Sequence, residues 1–165
     1  SEYPEAPADM KGRIALLGHP DDLSLEHTPL GAVRPTAVAL VDQPGDTGSE
    51  AKRAWRGLAV DDAANRWMAH YGCEVARLPR WDDVPRWAQE CECETLVLMA
   101  PFVGPDADAW RPVRQDLRSR GLEVIECRRA WDQRLFPAAR AGFFPFWHKA
   151  RAALAKPGRR GGSDR

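Results

Sequence analysis

Several short stretches of this 165-residue chain carry side chains whose types and spacing could do chemistry. Gly45-Asp46-Thr47-Gly48-Ser49 stands between a strand-like and a helix-like run, the place where a helix N-terminus attracts phosphate. Asp42 and Asp46 would repel an anion there, and no lysine occupies the phosphate-loop position, so an ordinary capped turn is the expectation. The cysteines are Cys73, Cys91, Cys93 and Cys127. Cys91-Glu92-Cys93 has C-x-C spacing, not the C-x-x-C of zinc and thioredoxin sites. Cys73 and Cys127 lie beside or within apolar runs, where a thiol behaves as a small core residue. Four reduced thiols and a reducing, cytoplasmic setting are expected. The seven tryptophans invite an electron-hopping reading, yet most fall at helical spacing on apolar faces, the pattern of core packing. Trp81 and Trp87 straddle a polar loop and a short helix and are candidate surface anchors for a partner. Phe143, Phe144, Phe146 and Trp147 form a second candidate docking surface, or else close the core. Arg159 and Arg160, in a basic tail, could meet phosphates or an acidic partner. No Ser–His–Asp or Cys–His set assembles by spacing, and His27 and His148 have no evident partner.

The elements that must position these residues alternate. Arg13–Gly18, Thr36–Val41, Cys73–Leu78, Thr95–Ala100 and Leu122–Cys127 read as strands, and the continuous apolar run of residues 36–41 is what a buried parallel strand looks like. Residues 19–35, with Pro20, Pro29, Gly31 and Pro35, read as loop. A helix over 49–71 is predicted, capped by Ser49, ended by Gly72, and buried through Ala51, Ala54, Trp55, Leu58, Ala59, Ala63, Trp67 and Met68. A short helix over 82–91 has Asp82 or Asp83 at its cap and Pro85 in its first turn. Another spans 106–120, with Ala109, Trp110, Val113 and Leu117 on one face. One helical turn over 132–135 and a final helix over 143–155 complete the reading. The fold class expected is α/β: a single three-layer domain over residues 13–155 with a mainly parallel sheet of about five strands. Residues 1–12 are an extended lead and 156–165 a basic, mobile tail.

Composition excludes several classes. The 24 basic and 24 acidic residues cancel, which argues against whole-domain nucleic-acid binding. No apolar stretch nears the ~20 residues of a membrane helix, and the acidic, proline-rich start does not read as a secretory signal. From Lys149 onward the balance is basic, with Asp164 the one acid.

Two resemblances add to this. Residues 96–147 run from a buried strand into Pro101-Phe102-Val103-Gly104-Pro105-Asp106-Ala107-Asp108. A helix and the strand LEVIEC follow, then Arg128-Arg129-Ala130-Trp131-Asp132, Leu135-Phe136-Pro137 and Gly142-Phe143-Phe144-Pro145-Phe146-Trp147. That order, with Thr28-Pro29-Leu30-Gly31 upstream, resembles the Rossmann-like α/β domain of bacterial photolyase/cryptochrome-like flavoproteins. The resembling proteins read P-H-A-T where this chain has Pro137-Ala138-Ala139-Arg140, and they hold FAD in a large helical domain with no counterpart here. The resemblance therefore implies lineage and fold, with FAD only through a separate helical domain. Photorepair needs flavin beside an extruded base and is not expected of this domain alone.

Gly18-His19-Pro20-Asp21-Asp22, after an apolar run, is similar to the H-P-D-D signature of the PIG-L/LmbE zinc-dependent deacetylases. By that likeness His19 and Asp22 would be metal ligands and Asp21 the catalytic base. The family's later histidine has no match in the turn Phe102–Asp108, and Leu23 stands where an acid usually follows. A polar turn capped by Asp21 or Asp22 is the plainer reading. The function expected is thus a non-catalytic binding or structural module with a protein partner or larger complex. A small zinc hydrolase, or a fragment of a flavin-dependent DNA photolyase, is the alternative.

Overall fold

Five short runs rich in Val, Leu, Ile and Ala become strands: β1 Ile14–Gly18, β2 Ala37–Val41, β3 Val75–Leu78, β4 Thr95–Met99 and β5 Glu123–Cys127. The computed structural model describes residues 12–44 and 48–127. The strands form one sheet in the order β3-β2-β1-β4-β5, and every pairing is parallel. Leu16 in the middle strand pairs with Val38 on one side and Val97 on the other, and all of β1 and β4 is buried. Both faces are covered, which is why these strands carry unbroken apolar runs.

The helices are α1 Glu50–Tyr71, α2 Val84–Glu90 and α3 Pro105–Ser119. On one face α1 packs Val60, Ala63 and Trp67 against Leu16, Val38, Leu40 and Val97. On the other, Trp81, Val84, Trp87, Trp110, Val113 and Leu117 cover Ala15, Leu17, Ala39, Leu96 and Leu98. The connections β1–β2 and β2–β3 thus lie on one face, and β3–β4 and β4–β5 on the other, as right-handed crossovers require. The single α/β domain with a five-stranded parallel sheet read from the sequence is the architecture observed.

Three details differ from the sequence reading. Residues 19–35 are not plain loop but three turns of 3₁₀ helix, Pro20–Asp22, Leu25–His27 and Pro29–Ala32. Thr28 caps the third, accepting the Leu30 N–H at 3.1 Å while its hydroxyl donates to Leu25 O at 2.6 Å. Leu25, Leu30 and Val33 are buried there and fill the place of a crossover helix. In α1 the predicted apolar face holds at Ala63 and Trp67, which are buried, but fails near the start of the helix, where Trp55 is 72% and Leu58 70% exposed. The reason is length. Twenty-two helical residues span about 33 Å, whereas a five-residue strand spans roughly 17 Å, so the first turns of α1 overhang the strand ends. Its ends are as expected: Ser49 accepts the Lys52 N–H at 3.2 Å, and Gly72 closes the helix at φ 73°. Finally, Asp83 serves the turn ahead of α2, accepting the Arg80 N–H at 3.2 Å, and makes no side-chain cap to α2 itself. The helices expected at 132–135 and 143–155, and both terminal segments, lie outside the described residues.

Candidate functional site in the crevice between β1 and β4

β1 leads toward β2 and β4 toward β5, so their connections part at the C-terminal edge of the sheet and leave a crevice, the usual ligand position in a doubly wound fold. The two turns that frame it are stitched together. His19, immediately after β1, places Nε2 2.6 Å from Met99 O at the end of β4. Asp21 Oδ2 accepts the Phe102 N–H at 2.8 Å. Asp22 is buried at the end of the first 3₁₀ turn, and its N–H donates to His19 O at 2.9 Å. Gly18 is the only residue type that fits before His19, because a Cβ there would overlap the Trp67 ring.

His19 is 1% exposed. Burial, the larger influence, lowers its pKa from the ordinary 6.5, against the opposing pull of the Met99 carbonyl and of Asp21, Asp22 and Asp106. A neutral ring whose Nε2 meets a carbonyl must carry its proton on Nε2 and leave Nδ1 as the acceptor. Nδ1 has no hydrogen-bond partner among the described residues. Trp81 stands against this ring, centroids 5.8 Å apart, with Trp110 a further 5.5 Å from Trp81. The Trp81 indole N–H donates to Asp106 Oδ1 at 2.8 Å, and its backbone N–H to Gln43 Oε1 at 3.0 Å.

Outside this buried layer a cleft of about 740 Å³ is lined by Pro20, Asp21, Asp42, Pro44, Asp106 and the overhanging first turns of α1. Lys52, Arg53, Trp55 and Arg56 come from that helix. The cations are partly neutralised: Arg56 Nε lies 3.4 Å from Asp42 Oδ1 and its Nη2 donates to Gln43 O, while Arg53 Nη1 donates to Gly48 O. Phe102 is 50% exposed, and Val103 is fully exposed. Both follow the C-terminal end of β4, and Trp55 and Leu58 are exposed on α1.

The sequence-predicted residues are therefore sorted. His19, Asp21 and Asp22 do come together, but as the joint between two turns. As a zinc site the set falls short. A catalytic zinc takes three protein ligands, and among the described residues no group of three His, Cys, Asp or Glu side chains is placed to hold a metal ion. The Asp21 oxygen bound to the Phe102 amide is held in a structural role. Trp81 and Trp87, read as candidate surface anchors, are core residues, 0% and 9% exposed, because the turn at residues 81–83 tucks both rings under α3. Phe143, Phe144, Phe146, Trp147, Arg159 and Arg160 lie outside the described residues, as does the centre of the candidate phosphate cradle, residues 45–47. Sequence reasoning missed Lys52, Arg53 and Arg56. Their i, i+1 and i+4 spacing at the start of a helix after a parallel strand was the available signal. It also missed the cluster in which Glu26 accepts from the Trp67 indole N–H at 3.0 Å and pairs with Arg66. Nothing local links residues 41 positions apart.

Fold and crevice together define a doubly wound α/β domain with strand order 3-2-1-4-5. No family model, no curated protein and no solved structure matches the chain. No helix among the described residues is long and apolar enough to cross a membrane.

Proposed function

We propose that this chain is a non-catalytic, protein-binding α/β module that docks through the C-terminal edge of its sheet. The observation that carries the reading is the inversion of side chains at that edge. The groups able to do chemistry, His19 and Asp22, are buried, whereas Trp55, which lines the cleft, is exposed, as are Leu58 on the same helix and Phe102 and Val103 just after β4. Large exposed apolar groups gathered at one place mark interaction surfaces, and tryptophan is over-represented among the residues that dominate binding. The charged lining behind them supplies the polar rim. The likeness of residues 96–147 to photolyase-like flavoproteins supports a helical partner, such as a separate flavin-holding domain, and flavin would then belong to that partner.

The test is a photo-crosslinking amino acid at position 55 in the producing cell, compared with the same probe at exposed Arg86. One dominant protein adduct at position 55 that is missing at position 86 is the expected result. Identical adducts at both positions, or none, would overturn the proposal. So would about one tightly bound zinc per purified chain, which is the signature of the hydrolase reading.

A further inference from the structure

The opposite edge of the sheet holds a second group of reactive side chains. α2 ends at Glu90 and the chain reverses through Cys91-Glu92-Cys93 before entering β4. The reversal is a Schellman turn: the Glu92 N–H donates to Gln89 O at 3.1 Å and the Cys93 N–H to Ala88 O at 3.4 Å. Its left-handed position is normally glycine, yet here it is Glu92 at φ 53°, the one non-glycine residue with positive φ among the described residues. The turn folds the residue after the left-handed position back onto the last helical turn. Both thiols consequently meet one carbonyl, Cys91 Sγ at 3.5 Å and Cys93 Sγ at 3.6 Å from Ala88 O.

Arg13, at the entry to β1, holds this turn. Its Nε donates to Glu92 O at 2.8 Å, its Nη2 lies 3.5 Å from Glu92 Oε1, and its backbone N–H donates to Glu94 Oε1 at 2.9 Å. Cys93 opens onto a groove of about 630 Å³ lined also by Pro85, Gln89, Glu94, Arg120 and Leu122. Both cysteines are half-buried and within reach of a small reagent, unlike Cys127, which is fully buried and whose thiol burial pushes up to about 12.

We propose that Cys91 and Cys93 form a reversible dithiol–disulfide pair that exchanges with low-molecular-weight disulfides of the glutathione type. The Cys91 thiolate attacks one sulfur of the small disulfide. The reagent's S–S bond breaks, and the departing thiolate takes the proton that Cys91 gave up. Cys93, deprotonated in turn, attacks the Cys91 sulfur of the mixed disulfide and releases the second small thiol. Two protein thiols lose two electrons and two protons, and one small disulfide becomes two thiols. Cys91 is the attacking residue: it sits on the turn that Arg13 holds, and the neighbouring Cys93 thiol, with Arg13 close by, lowers its pKa to about 7 against the effect of burial. Cys93 is shifted the other way and resolves.

The experiment uses the full chain, reduced and then equilibrated over a range of reduced-to-oxidised glutathione ratios, quenched by alkylation and mapped by peptide mass spectrometry. Cys91 and Cys93 should lose alkylation together and appear as one linked peptide while Cys127 stays reduced. Cys93→Ser should trap glutathione on Cys91. In Cys91→Ser, Cys93 should react several-fold more slowly than Cys91 does in the wild type, and Arg13→Gln should slow alkylation of Cys91. Circular dichroism shows whether each variant keeps its fold, and the wild-type mapping stands whichever variant fails. The proposal is overturned if the two cysteines oxidise independently, if both remain thiols in excess oxidised glutathione, or if Cys91 reacts no faster than Cys73.

Discussion

The two edges of the sheet invert what their sequences advertise. At the C-terminal edge, Gly18-His19-Pro20-Asp21-Asp22 has the residue types of a hydrolase, and the fold uses His19 and Asp21 to join one turn to the next. At the N-terminal edge, Cys91-Glu92-Cys93 matches no metal or redox spacing, and the turn sets both sulfurs against a single carbonyl within reach of solvent. Residue type sets which chemistry is conceivable. Burial and prior hydrogen bonds decide whether a group can still perform it, and in a parallel sheet the strand ends are where that is decided.

The comparison breaks most sharply at Trp81. If the C-terminal edge is locked from within, this ring is its wedge, packed against both His19 and Trp110 and tied to Asp106. Trp81→Ala should then cost about 3–5 kcal/mol, the range for emptying a buried aromatic site, and lower the urea midpoint accordingly. A loss below about 0.5 kcal/mol, typical of surface sites, would restore Trp81 as an exposed anchor and undo the contrast between the edges.

A smaller effect tests the buried imidazole. Burial lowers the folded-state pKa of His19 below its ordinary 6.5, so between those two values the unfolded chain binds the extra proton. Stability must therefore fall as pH drops through 6.5 and continue to fall until the folded-state pKa is reached. The loss grows with the gap between the two pKa values and stops growing once the folded ring is protonated as well. His19→Gln removes the titrating group, so its urea-unfolding free energy should fall less than the wild type's as pH drops below 6.5. Parallel pH profiles for the two proteins would mean that the ring at position 19 is solvated.

Much of the fold was legible in the sequence, and its failures have a common cause. All five strands follow from short apolar runs punctuated by glycine and proline, and Ser49 and Gly72 mark both ends of α1, because these signals are local. The apolar face of α1 was read correctly at Ala63 and Trp67 but extended too far toward Trp55, because helical periodicity says which residues share a stripe but not how far the helix overhangs the sheet. Residues 19–35 were read as loop because 3₁₀ turns have no apolar period to detect, although Leu25 and Leu30 are fully buried. The H-P-D-D segment could be found by eye, but its role could not. That role rests on Met99 and Phe102, about 80 residues away, just as the Glu26–Trp67 bond joins elements that only the folded chain brings together.

The finest test of the contrast lies in the overhang itself. Trp55 sits on turns of α1 that leave the sheet behind, and its ring is largely in solvent. Removing an exposed ring takes almost no apolar area out of the core, so Trp55→Ser should change stability by no more than about 0.5 kcal/mol, less than either variant above. Serine and tryptophan have similar helix propensities, so the substitution changes little there either. A side chain retained at such a position for docking should show its value only when the partner is present. The variant should therefore unfold at the wild-type urea midpoint, while a crosslinker moved to Leu58 on the same turns loses the adduct it gives in the wild-type background. A substantial drop in midpoint would instead place Trp55 in contact with the rest of its own chain, and the C-terminal edge would then be covered from within.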